Sequence, residues 1–406
     1  MQSNYARPAI AAMALALAYT GTLAQGWVQQ VSGTNVLLEK VKFVSDTEGW
    51  IVGDDGTILH TTDGGDTWLP QTSGTTQWLR DLQMLNANEG WAVGANSTVL
   101  HTVNGGMTWV PQTLPAVIEC RAVFFTDAMT GWISGTPDIM LKTTTGGASW
   151  TEAVPASFSE LNTIWFTDAL HGWAGGLGFG LNGQVRVTSD GGNDWVASAQ
   201  SLNMGWFQAV QFLSNTDGWA CTGGGEIVAS NDGGIGWDTV MVASFGLYDL
   251  CFIDPMNGWI CGEGGNLLHT MDGGANWLPA TSGSSTYLYD IEFSSGGDGW
   301  IVGWSGTILH RASSTSVAED VVPGGIMILM DPALDQLVVK APQGQLLTGP
   351  AQIYDAKGQL MLTTALHGCV SASECRIRLG DLPGGWYALR VGSTNGDHYT
   401  ARFLKP

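Results

Sequence analysis

Two carboxylates, Asp249 and Asp290, each stand ten residues before the tryptophan of a Gly-Trp pair, at Trp259 and Trp300. Held about 6.5 to 9.5 Å apart, two such groups could protonate a glycosidic oxygen and activate a water, which is inverting glycoside hydrolysis. Four histidines, His60, His101, His269 and His310, each follow a leucine in closely similar phrases. As zinc ligands they would have to meet at about 2 Å from one ion. The stretch GFGLNG, residues 178 to 183, fits the dinucleotide pattern G-x-G-x-x-G. The residues after it, QVRVTSDGG, read as a strand and a turn, with no helix to aim an N-terminus at phosphate, so the match carries no chemistry. Asp-Gly-Gly turns also recur along the chain, and their acids would serve as calcium ligands or catalysts only if several converged. Which of these groups can meet depends on the elements that carry them.

Those elements come from a repeat. Gly-Trp recurs at Trp50, Trp91, Trp132, Trp173, Trp219, Trp259 and Trp300, at spacings of 41, 41, 41, 46, 40 and 41 residues, which makes seven units. A second tryptophan follows six of them: Trp68, Trp109, Trp150, Trp195, Trp237 and Trp277. The seventh would fall at 318, where the chain has Ala318; instead Trp27 precedes Trp50 by the same 23 residues that separate Trp68 from Trp91. Within a unit, LEKVKFV, WIVG, TILHT and TWLPQT are separated by Gly- and Asp-rich turns and read as strands A to D. Four strands per repeat of about 40 to 45 residues predict an all-β chain dominated by a seven-bladed β-propeller. It spans residues 25–311, and residues 26 to 31 supply strand D of the last blade, closing the ring through backbone hydrogen bonds.

Equivalent strand C positions lie two strands, roughly 10 Å, outside the innermost strand, which excludes a zinc ion shared by the four histidines. The acidic turns join strands C and D once per blade on the outer part of the ring, so they cannot converge and are read as structural. In them Asp63, Asp190, Asp232 and Asp272 accept hydrogen bonds from the turn backbone and glycine supplies the positive φ, with Asn104 and Thr145 replacing Asp in two copies. The B to C and D to A loops gather on the opposite face. That face carries Trp78, Arg80, Arg121, Phe179, Trp206, Tyr248, Tyr287, Tyr289 and Trp304, with Glu39, Asp81, Asp249 and Asp290 among them. Eleven residues before each Gly-Trp tryptophan stand Glu39, Arg80, Arg121, Asn162, Gln208, Tyr248 and Tyr289, expected as a ring near the mouth of the central channel. Variation there against constancy in the turns is what a binding face on a fixed scaffold shows, and exposed Trp and Tyr suit protein or glycan contacts.

Composition adds bounds. Gly 57 and Trp 19 in 406 residues point to many tight turns between short strands. Residues 1–24 read as an export signal: Arg7, an apolar run from Ile10 to Tyr19 too short to span a bilayer, and Thr22-Leu23-Ala24 before the cleavage point. No later segment has the length and apolarity of a transmembrane helix. The excess of acid, 36 Asp and Glu against 15 Lys and Arg, repels nucleic acid and favours cationic partners. None of the six cysteines forms a C-x-x-C pair. Cys120, Cys221, Cys251 and Cys261 read as core thiols, while Cys369 and Cys375 could close a small disulfide loop in an exported protein. No cofactor or metal is called for.

The composite pattern VxFxDxxxGWxVGxxGxILHTTDGGxTW, nearly complete in residues 41 to 68, resembles the photosystem II stability and assembly factor-like propellers, which carry BNR or Asp-box repeats. The resemblance covers about residues 26 to 311. It implies a seven-bladed adaptor that binds an assembling membrane complex through a face bearing arginines, and Arg80 and Arg121 keep that character at the ring position. Residues 312–324 read as a linker. After them QLVVK, AQIYDAKGQLML, CRIRL and WYALRV alternate as strands and predict a small β-sandwich over 325–406. The phrases DPALDQLVV, IYDAKGQ, LPGGWYALRV and the terminal ARFLKP resemble the C-terminal sorting domain of the type IX secretion system. That resemblance implies the secretion machinery as a partner and a destination outside the cell or on its outer-membrane surface. Asp-box propellers also include sialidases, which clamp a substrate carboxylate with three arginines. Of Arg80, Arg121, Arg186 and Arg311 here, two lie on strand C or its end. The leading expectation is therefore a non-enzymatic scaffold holding a protein or polysaccharide on its loop face. The alternative is a glycoside hydrolase using Asp249 and Asp290.

Overall fold

The computed structural model describes residues 26–313 except 138, 154–157, 179–181 and 199–204, and from residue 327 onward the strands of the C-terminal part with a few flanking residues. The expected export signal, most of the expected linker, Phe179 and Cys369 lie outside the described residues, as does the side chain of Cys375.

Seven four-stranded antiparallel sheets follow one another in chain order, as the spacing of Gly-Trp predicts. Blade 1 is Leu38–Phe43, Gly49–Gly53, Ile58–Thr61 and Leu69–Gln71, strands A to D. Blade 7 is Leu288–Phe293, Gly299–Gly303, Thr307–Arg311 and, as its D strand, Val28–Gln30. That strand pairs Val28 with His310, Gln29 with Leu309 and Gln30 with Ile308. The orphan tryptophan before the first repeat thus belongs to the last one.

The Gly-Trp signature has a packing cause. Trp91 is fully buried, stacked between His101 of its own blade at 4.4 Å and Phe125 of the next blade at 3.6 Å. Glycine precedes the tryptophan because the same aromatic position of strand A lies across it: a Cβ on Gly49 would stand 2.6 Å from the ring of Phe43. The four histidines are therefore stacking partners, as Trp50 with His60 at 4.5 Å and Trp259 with His269 at 3.9 Å show. The closing interface uses the same packing, Trp300 lying between His310 at 4.9 Å and Phe43 at 3.5 Å.

The turns between C and D depend on a hydroxyl as well as an acid. Thr61 Oγ1 accepts from the Gly65 amide at 2.9 Å and donates to Asp63 Oδ1 at 2.8 Å, while Asp63 accepts from the Thr67 amide at 2.9 Å. These bonds, led by the one from the Thr67 hydroxyl, pull the Asp63 carboxyl down to about 2. Asn104 keeps the acceptor role toward the Thr108 amide, and Thr145 toward that of Ser149, so the two departures preserve the turn.

Beyond the propeller lie a three-stranded sheet, Met327–Asp331, Gln336–Lys340 and Glu374–Arg378, and a four-stranded one ordered Leu360–Ala365, Leu347–Asp355, Gly385–Ser393 and His398–Lys405. Each buries alternate residues, Leu337, Val339 and Ile377 in one and Ile353, Leu389 and Val391 in the other, as the two inner faces of a small β-sandwich do. No helix among the described residues is long and apolar enough to cross a membrane.

Trp27 sets the strength of the ring closure, packed edge-on to Trp259 at 5.6 Å and Phe293 at 5.9 Å and only 8% exposed. Trp27→Ala is expected to cost about 3–5 kcal/mol in urea unfolding and to speed amide exchange at Leu309. A loss below about 1 kcal/mol would mean that the ring is held shut elsewhere.

Candidate functional site: the channel and the upper rim

Every strand A carries a β-bulge at one place. Register slips between Leu38 and Lys40, Leu79 and Asp81, Cys120 and Ala122, Leu161 and Thr163, Phe207 and Ala209, Leu247 and Asp249, and Leu288 and Asp290. Regular alternation would send neighbouring residues to opposite faces, whereas the extra residue lets two consecutive side chains face the channel. The residues eleven and ten places before each Gly-Trp tryptophan accordingly line one central cavity of about 470 Å³. Those eight places before form a third ring below them, Lys42, Gln83, Phe124, Trp165, Gln211, Cys251 and Glu292.

The two lower rings bind blade to blade. Asp81 accepts from the Val123 amide at 2.7 Å, Asp249 from that of Ile291 at 3.1 Å and Asp290 from that of Val41 at 2.9 Å. Lys40 reaches back across the closing interface to Asp290 at 2.5 Å and Asp249 at 3.9 Å, and Lys42 pairs with Glu292. Burial works against the Lys40 ammonium, yet the carboxylates of Asp249, Asp290 and Asp81 outweigh it and hold its pKa well above the ordinary value. Burial also drives the Asp249 pKa well up, and the charge of Asp290 and a hydrogen bond between the two carboxyls add to it against Lys40. Asp249 and Asp290, the expected inverting pair, thus stand around one lysine, each also holding a backbone amide of the next blade.

The upper ring is divided. On one side the Arg80 guanidinium lies 3.6 Å over the Trp78 ring with Nη2 4.0 Å from Glu119, and Arg121 Nη2 stands 3.6 Å from Glu160. On the other, Tyr248 and Tyr289 stack at 4.8 Å, and the Tyr248 hydroxyl donates to Glu263 at 3.4 Å. Tyr287 and Trp304 complete that side, 42% and 51% exposed, and Trp206 stands equally open over Gly223 on blade 5. Several polar atoms of the ring are sealed from solvent without a hydrogen-bond partner: Glu39 Oε2, Arg80 Nε, Arg121 Nε and Asn162 Oδ1. Burial pushes the Glu39 carboxyl up to about 7 despite the opposing pull of Arg80 and Arg121.

Other candidates are dispersed. Among the described residues no group of three or more His, Cys, Asp or Glu is arranged to hold a metal. Cys120, Cys221 and Cys261 are buried, and burial pushes the Cys120 thiol up to about 12, where it forms no nucleophile near neutral pH.

Residues 71–160 and 207–312 match the family described as Photosynthesis system II assembly factor YCF48. The propeller is YCF48-like. A YCF48 structure described as bound to D1 peptide aligns at TM-score 0.61 and 23% identity, covering 72% of this chain and 96% of that one. YCF48 from Cyanidioschyzon merolae aligns at 0.60 and 21%, covering 70% and 98%. PorZ, titled an essential bacterial surface component of the type-IX secretion system of Porphyromonas gingivalis, aligns at 0.55 and 12%, covering 90% of this chain and 59% of that one. No curated protein matches the chain. At these identities the structural matches establish the fold alone.

Glu39 gives a pH test. Its folded pKa lies above the ordinary carboxyl value, so its contribution to stability is present at acid pH and lost as pH rises through about 7. Glu39→Gln mimics the protonated form: thermal unfolding should coincide with the parent near pH 4, below the ordinary carboxyl value of 4.5, and shift upward by a few degrees at pH 8. A shift of equal size at both pH values would show that Glu39 is not held in this way.

Proposed function

We propose that this chain is a non-enzymatic scaffold that holds a segment of a partner protein across the upper rim of its propeller, outside the cell. The observation that carries the reading is the upper ring: beside exposed aromatics, and beyond the contacts Arg80, Arg121 and Asn162 make to the next blade, it keeps Glu39 Oε2, Arg80 Nε, Arg121 Nε and Asn162 Oδ1 without hydrogen-bond partners. Preformed, dry and partly unsatisfied groups beside exposed aromatics are what a recognition surface needs. The YCF48 structure titled with a bound D1 peptide supports a polypeptide as the ligand class on such a propeller.

Export is supported by the leader-like residues 1–24 and by the resemblance of residues 325–406 to type IX sorting domains. The printed description of PorZ as a surface component of that system agrees with it. In this reading the C-terminal part addresses the secretion machinery and the propeller does the binding. Hydrolysis is disfavoured because Asp249 and Asp290 are committed to Lys40 and to backbone amides.

A photo-cross-linking amino acid placed at Trp78 or Trp304 in the native cells should capture one partner protein, lost in the Arg80→Glu, Arg121→Glu variant. The same probe at Leu69 on the outer strand, 66% exposed, should not. Equal capture from Leu69, or turnover of chromogenic glycosides abolished by Asp249→Asn, would refute the proposal.

A further inference from the structure

The two halves of the rim differ in charge as well as in shape. Residues 187 to 310, which build most of blades 5 to 7, contain thirteen acidic residues and no lysine or arginine. The arginines of the rim, Arg80 and Arg121, stand on blades 2 and 3 and are already faced by Glu119 and Glu160. Asp190, Asp232 and Asp272 belong to the opposite turns and Asp249, Asp290 and Glu292 face Lys40 and Lys42, so the negative charge beside the rim tyrosines is that of Glu263 and Glu39.

We infer that Tyr248, Tyr287, Tyr289 and Trp304, with Glu39 and Glu263, form a site for a lysine or arginine side chain of the partner protein. The inference rests on the reading of the rim as a protein-binding face and names what that face selects. Tyr287 meets Tyr248 at an interplanar angle of 64° and Trp304 at 86°. Rings set across one another in this way offer more than one negative face to a cation. The hydrogen bond from the Tyr248 hydroxyl to Glu263 shifts electron density into that ring and strengthens the attraction. Glu39 lines the same cavity as Tyr248 and Tyr289, and its unpartnered Oε2 leaves that carboxyl without a neutralising bond of its own, so a cation held over the tyrosines is drawn to it as well.

The tyrosines report the same field. Burial raises the Tyr289 phenol to about 12, and the nearby Glu39 and Glu263 charges push it the same way. A neutral sugar would use the flat ring faces but would leave Glu39 and Glu263 unanswered. The acidic half of the torus also attracts a basic segment from a distance, within the screening length of the medium.

The test titrates the full-length protein at physiological salt with acetyl-trilysine amide, acetyl-triglutamate amide and cellohexaose. Binding of the lysine peptide is expected to fall at least about fivefold in Tyr287→Ala, Trp304→Ala and about threefold in Glu39→Gln. Both Tyr287 and Trp304 are surface residues whose truncation leaves the blade cores intact. The control Asp66→Asn, an exposed acid on a C to D turn, should change it by less than about twofold. Equal effects of Asp66→Asn and the aromatic variant, or no binding of the lysine peptide, overturn the inference, as does cellohexaose binding lost in the aromatic variant. If the glutamate peptide alone binds and depends on Arg80 and Arg121, the cation site is refuted while the protein-binding rim stands. If neither peptide binds and rim cross-linking also fails, the broader reading falls with it.

Discussion

Each blade depends on an indole that belongs to two blades at once. Trp91 lies between a histidine of its own sheet and a phenylalanine of the next, and Trp173 sends its Nε1 hydrogen to the carbonyl of Gly233, in the following blade's C to D turn, at 2.8 Å. A blade removed from the ring would expose one side of that sandwich and leave its donor unpaired. Four strands alone cannot bury such a residue, so the unit is stable only in a closed series. The constraint explains why the sequence repeats what it does: glycine where a ring crosses the backbone, tryptophan beside it, histidine opposite in four blades, and an aromatic or methionine at the strand A position that covers it.

Closure then has three layers at the one interface the chain does not connect directly. Val28–Gln30 finishes the outer sheet, Trp300 packs on Phe43 in the middle, and Lys40 and Lys42 reach carboxylates of the last blades beside the channel. The inner pairs are partly buried, where removing one partner leaves an uncompensated charge. They therefore fix which blades meet as much as how tightly they meet.

The architecture was legible because its determinants are chemical at fixed spacings. The Gly-Trp pairs, the Gly-Gly turns and the displaced Trp27 gave the blade count and the latch without any contact being known. The upper ring was legible too, since Glu39, Arg80, Arg121, Asn162, Gln208, Tyr248 and Tyr289 hold one position and share no chemistry. The bulge was not legible: it sits at those same varied residues, so no residue type marks it. Its consequence, a second channel-facing ring one place later, could not be read from alternation. Nor could the fate of Asp249 and Asp290 be read, because their cation, Lys40, lies 250 residues from Asp290 and arrives only when the ring closes. The hydroxyl two places before each turn acid was visible as Thr61 or Ser230, but its role as the acceptor for the second glycine required the geometry.

The bulge also separates what holds the molecule together from what it can recognise. A strand without it would give one channel-facing residue where there are two, and that residue would have to serve both purposes. With it, the residue ten places before the tryptophan takes up the neighbouring amide in three interfaces, and the one eleven places before is free to vary. Changes at the upper position alter charge and shape at the mouth without touching the interblade bonds below. This is why blades 2 and 3 can carry arginines, and blades 6 and 7 tyrosines, on strands of the same length and register. A ring built this way can acquire a new partner by substitution at one position per blade, while the stacked indoles beneath keep every wedge in place.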